Sequence, residues 1–200
     1  MRCLGIDCGT EYTGYGIVDL LFDGEGETTP RGVRGRGTDN RQLVCVDCGA
    51  IKVSTREPMA VRLSRISRGL EEVIARHRPN RVAIEDVFYA VNVKSALKLG
   101  QVRGVAMLAA ATAGLEVAEY SPLSIKSAVV GYGKAEKHQV QQMVARLLNL
   151  AEVPEPADAA DALAIAICHL HTSATLEIQG APTAGRNAAN STLKSQKARL

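Results

Sequence analysis

The sequence predicts an α/β fold built on a five-stranded mixed sheet, an antiparallel meander joined to parallel strands and flanked by helices. Three observations carry this expectation. Residues 1–53 hold three short apolar runs around Gly-rich turns, the pattern of strands rather than helices. Residues 59–120 alternate helical periodicity with two more such runs, and a strand–helix–strand crossover implies parallel pairing. The stretch 157–167 is almost wholly apolar past Asp161, which makes it a core helix.

A chain of 200 residues suits one domain with a real core, here expected over 1–171. Its net charge of +3 permits nucleic acid as a partner without demanding it. With no Trp and only two Phe, each aromatic outside the core is conspicuous. Five cysteines with no secretory leader before Cys3 predict reduced thiols and a cytoplasmic location. No apolar run approaches the length of a membrane span, so no membrane partner is expected.

In chain order, residues 1–7 form the first strand, ending on Asp7, and 13–18 return as the second after the turn Cys8-Gly9-Thr10. The Gly-, Thr- and Arg-rich stretch 22–42 reads as a surface loop bearing Arg31, Arg34, Arg36 and Arg41. The third strand, 43–53, contains Cys45 and Cys48. Residues three apart on a strand point to opposite faces, so this C-x-x-C is expected to be structural rather than a zinc or redox pair.

Residues 59–77 form an amphipathic helix with Leu63, Ile66, Leu70, Val73 and Ile74 inward and Arg62, Arg65 and Arg76 on the wet face. After Pro79, strand 81–85 ends on Glu85. Helix 94–112 carries Gly100 and Gly104 four apart, which fits close packing of another helix, either within the chain or from a second copy. Strand 116–120, a short helix at 122–130 and an amphipathic helix at 135–150 follow. The core helix runs from 157 to about 171, and 172–200 is a basic tail expected to be disordered.

Asp158 and Asp161, three apart, share one helix face about 5–6 Å apart at Cβ, and both are placed in the first turn, where the helix dipole favours anions. Acids there are common caps, but two of them repel unless solvent, a proton or a cation intervenes. If the first and fourth strands pair in parallel, Asp7 and Glu85 emerge from neighbouring carboxyl ends, where ligands of open α/β sheets gather. Asp7, Glu85, Asp158 and Asp161 are then four hard-oxygen ligands suited to Mg²⁺ or Mn²⁺, the chemistry of phosphodiester cleavage. The element order is that of an RNase H-like fold.

Several blocks now carry a specific resemblance. Gly5-Ile6-Asp7-Cys8-Gly9, Thr13-Gly14-Tyr15-Gly16, Ala83-Ile84-Glu85-Asp86-Val87-Phe88 and the segment from Ser95 to Gly104 occur in order, followed by Val129-Val130-Gly131, Ala135-Glu136-Lys137 and the segment from Ala157 to Ala164. Together they resemble the RuvC family of bacterial Holliday junction resolvases over roughly residues 2–171. The resemblance implies a homodimeric, Mg²⁺-dependent endonuclease that nicks two opposed strands of four-way junction DNA symmetrically, in partnership with the RuvA–RuvB branch-migration complex. It implies that Asp7, Glu85, Asp158 and Asp161 are the metal-binding catalytic acids. It implies further that Phe88 presses on bases near the crossover, and that Lys126 and Lys137 lie close to the scissile phosphate. Cys8 stands where the family usually has Pro, Asp86 replaces a more typical amide, and the 22–40 stretch is longer than usual.

Asp86, next to Glu85 on a strand, is expected to point the other way, and His138, His169 and His171 are expected at the surface or at helix ends. Asp7-Cys8-Gly9-Thr10 also resembles the first phosphate loop of the actin, Hsp70 and sugar-kinase group, but no second such loop follows. A junction-binding protein that has lost cleavage would lack one of the acids. The remaining rival is an RNase H-like nuclease for another nucleic acid, since fold and acids alone do not select a junction.

Overall fold

The computed structural model describes residues 1–22, 41–86 and 93–178. Five strands, β1 (Arg2–Asp7), β2 (Tyr12–Phe22), β3 (Arg41–Lys52), β4 (Arg81–Glu85) and β5 (Val117–Tyr120), form one sheet in the order β3-β2-β1-β4-β5. β1 pairs antiparallel with β2 and parallel with β4; β2–β3 is antiparallel and β4–β5 parallel. The expected meander and crossover are both present. Within 22–42, residues 22, 41 and 42 belong to strands, and the remainder, with Arg31, Arg34 and Arg36, lies outside the described residues.

Helices α1 (Met59–His77) and α2 (Val93–Thr112) cover one face of the sheet. Helices α3 (Pro122–Val130), α4 (Lys137–Leu147) and α5 (Ala157–Ile178) cover the other. The alternation of β1 sorts its side chains between them: Leu4 and Ile6 enter the α1–α2 core, while Cys3 enters the α5 core. Among the described residues no helix is long and apolar enough to cross a membrane.

Local chemistry sets the helix limits. Ser121 accepts a hydrogen bond from the Ser124 N–H at 3.1 Å, Pro122 follows at the start of α3, and Gly131 closes it at φ 92°. Glu136 and Gln139 form a capping box, so α4 begins two residues after the expected position. Arg62 departs from expectation: it is buried at 6% exposure. It lies four residues before Ile66 and eight before Leu70, on the stripe that enters the core, which places its long stem there.

The cysteine pair also corrects the sequence reading. Val18 pairs with Cys45 but Ile17 pairs with Asp47, so Val46 is an extra residue in a β-bulge. The bulge resets the alternation, and Cys45 and Cys48 pack against the same α5-side core. Asp47 faces the opposite way, its Oδ2 2.8 Å from His77 Nε2 at the end of α1.

α5 continues seven residues past 171, and Thr172 Oγ1 donates to the Cys168 carbonyl at 2.8 Å. The tail is thus helical through Ile178, and 179–200 lie outside the described residues. His169 is not a surface residue. It is buried on α5, with Nδ1 2.9 Å from the Tyr120 hydroxyl on β5.

Candidate active site

Asp7 closes β1 opposite Gly14, and the parallel register Ile6↔Ile84 puts Glu85 beside it at the end of β4. The other two acids come from α5, which lies directly on β1 and β2 because glycines leave room for it. A Cβ on Gly5 would stand 2.0 Å from the Ala162 carbonyl oxygen, and one on Gly14 would stand 2.0 Å from that of Asp158. These close approaches seat Asp158 and Asp161 above the strand ends. Only Asp158 falls in the first turn of α5; Asp161 belongs to the second, because the helix starts at Ala157.

Asp7, Glu85 and Asp161 line one cavity of about 230 Å³ with Lys126 and Lys137, over an apolar floor that includes Ile125. Lys137 Nζ is 2.6 Å from Asp161 Oδ2. Asp158 does not line this cavity but acts on it through its charge. Burial, then the charges of Asp161, Glu85 and Asp158, push the Asp7 carboxyl up to about 7 despite the pull of Lys137. Glu85 is raised by burial and Asp161, while Lys126 and Lys137 draw it back. Lys137 is raised in turn, chiefly by its hydrogen bond to Asp161.

Six of the seven expected site residues therefore stand in the described structure, and five of those line one wall. Phe88 lies outside the described residues. Asp86 points away from the cavity side, forming an ion pair with Arg103 at 3.4 Å, as strand alternation predicts. Arg103 is the residue sequence reasoning missed. From α2 its Nε donates to the Glu85 carbonyl at 3.3 Å, and its guanidinium also pairs with Glu119, so it fixes the end of β4. The signal available was a lone Arg among the small and apolar residues of 102–110.

Among the described residues no three His, Cys, Asp or Glu side chains stand close enough to hold an ion as they are. The donor set nonetheless fits a hard divalent cation, because burial and then the charges of three neighbouring carboxylates raise Asp7, a repulsion that such a charge relieves.

Comparison with known proteins gives this arrangement a lineage. The family model described as "Crossover junction endodeoxyribonuclease RuvC" matches residues 3–169. The chain belongs to the RuvC family. A RuvC protein of Koribacter versatilis is 62% identical over 176 residues, 88% of this chain and 96% of the relative. The Thermus thermophilus RuvC structure superposes with a TM-score of 0.72 at 32% identity, covering 88% of this chain and 96% of that one. A second structure, of T. thermophilus RuvC in complex with a Holliday junction substrate, matches with a TM-score of 0.72 at 31% identity over the same shares. RuvC membership supports both the RNase H-like fold and the enzyme class, an endodeoxyribonuclease acting at crossover junctions. The phosphate-loop rival, which required a second similar domain, falls away.

Proposed function

We propose that this chain resolves Holliday junctions as a homodimeric, Mg²⁺-dependent endonuclease making paired symmetric nicks in opposed DNA strands. The observation that carries the reading is the convergence of Asp7, Glu85 and Asp161 on one cavity with Lys126 and Lys137 at its wall. Asp7, Glu85, Asp158 and Asp161 hold the ion. Mg²⁺, when bound, supplies Lewis-acid charge at the phosphate undergoing attack, and Mn²⁺ is its natural substitute.

The chain's own residues do the rest. Lys126 and Lys137 draw the phosphate into the cavity and offset the charge that grows on its oxygens. Lys137 also pairs with Asp161 and draws the Asp7 carboxyl down, offsetting part of the burial and repulsion that raise it. Phe88, three residues past Glu85, supplies the aromatic that stacks on bases near the crossover. RuvA–RuvB delivers the junction. Replacing Lys137 with Met is expected to slow single-turnover cleavage by about 10²-fold. Junction affinity in a binding assay should weaken far less.

The dimer rests on α2. Leu97, Gly100, Gly104 and Leu108 recur at three- and four-residue steps, so they share one face. Leu97 and Leu108 are 64% and 63% exposed, and a Cβ at Gly100 or Gly104 would meet nothing within 4 Å. Among the described residues, packing within the chain does not explain the glycines, and a second copy is the occupant that suits a two-fold junction. Sedimentation of Leu97→Glu, Leu108→Glu protein should show monomers where the parent shows dimers.

The deciding experiment offers purified protein and Mg²⁺ a synthetic four-way junction, a linear duplex and an RNA–DNA hybrid. Paired symmetric nicks in the junction alone establish the reading. Equal cutting of the other substrates would make this a general RNase H-like nuclease instead.

A further inference from the structure

The bulge at Val46 brings two thiols together on an edge strand. Cys45 stands opposite Val18 and Cys48 opposite Gly16, so three residues of β3 span the length of two on β2. At about 3.3–3.4 Å per residue that is about 6.7 Å, at the upper end of the Cα separations, about 4.4–6.8 Å, that a disulfide bridges. Both side chains face the α5 side, both are half-buried, and β3 is an edge strand of the sheet. Val46, at the bulge itself, is exposed.

We propose that Cys45 and Cys48 are a thiol-modification site, an oxidisable dithiol that a hydroperoxide closes to an intrachain disulfide. The Cys48 thiolate attacks the peroxide O–O bond, giving a sulfenic acid and releasing water or an alcohol. The Cys45 thiol then displaces the sulfenic oxygen as water and forms the S–S bond. Two thiols lose two electrons and two protons, and the peroxide takes up both.

The electrostatics assign the order of attack. The hydrogen bond between the two side chains holds the Cys48 thiol below its usual value and Cys45 above it, so Cys48 is the nucleophile. The other cysteines are poor competitors. Cys3 and Cys168 are buried, and burial with the nearby Asp7 charge pushes Cys8 up to about 12.

The test uses the full chain, reduced, desalted and exposed to hydrogen peroxide, then alkylated in denaturant and digested with trypsin. Cleavage after Arg41 and Lys52 leaves both cysteines in one peptide, residues 42–52. That peptide is expected to lose two hydrogens, escape alkylation and recover both thiols with dithiothreitol. It should react at least tenfold faster in the folded protein than in urea. Cys45→Ser should leave a Cys48 sulfenic acid that dimedone traps, and Cys48→Ser should abolish the fast reaction. Full alkylation of both residues after peroxide would overturn the proposal. So would a rate no faster than in urea, or Cys48 passing to sulfinic acid with Cys45 free.

Discussion

Asp7→Asn is expected to abolish junction cleavage, by about 10³-fold or more, while making the fold more stable at pH 8. The loss follows from removing one of the carboxylates proposed to hold the ion, whose charge is worth several kcal/mol to phosphodiester cleavage. The gain follows from crowding. Asp7 is raised from 3.8 to about 7, first by burial and then by three neighbouring acids. A carboxyl with a raised folded value binds its proton more tightly in the native state than in the unfolded chain. Its stabilising contribution is complete below about pH 4 and is lost as pH rises through about 7. Losing that contribution costs about 4 kcal/mol, at about 1.4 kcal/mol for each tenfold change in proton affinity. Thermal unfolding with a chelator present should show the variant ahead of the parent at pH 8 and level with it near pH 4. A variant less stable than the parent at pH 8 would contradict the crowding of the acids.

Gly5→Ala is expected to be among the most damaging single-methyl changes at the described glycines. Its new Cβ would stand 2.0 Å from the Ala162 carbonyl oxygen and 2.7 Å from the Ala166 nitrogen, both backbone atoms of a buried helix. Neither can turn aside, so α5 must lift. Overpacking of this kind costs about 3 kcal/mol, or about 10 °C in Tm for a chain of this size. Cleavage should fall with it, because Asp161 precedes Ala162 and moves with the helix. Gly49→Ala is the counterpart: its Cβ would meet the Tyr15 hydroxyl at 2.8 Å, the far end of a side chain that can swing. Calorimetry should separate the two by several degrees.

How far these features were legible in the sequence depends on how local their causes are. The strand ends that place Asp7 and Glu85 follow from apolar runs and a crossover, so both acids and the sheet were readable. α5 was readable from its apolar run, but its end was not: polar residues beyond 171 stay helical through Ile178, with the Thr172 hydroxyl turned back onto the Cys168 carbonyl. Gly5 and Gly14 read as turn or strand glycines until the helix above them is seen. Cys45 and Cys48 defeated the period-two rule because one inserted residue, Val46, reverses every face after it. Arg62 defeated binary patterning, since a charged residue on an apolar stripe reads as exposed when only its type is considered. Arg103 was invisible for another reason: its partners Glu85 and Glu119 come from strands and Asp86 from just past β4, and no spacing along α2 announces them.

The placement of α2 on the sheet face away from α5 has a metric consequence. If two copies meet through the Leu97–Leu108 face, each active centre is separated from the other by one sheet-to-helix layer, the helix pair and a second layer. Each such step is about 10 Å, so the two centres stand on the order of 30 Å apart. The subunit is then a rigid ruler: the distance between two cuts in DNA is set by the thickness of stacked secondary structure, and no loop movement is needed to define it.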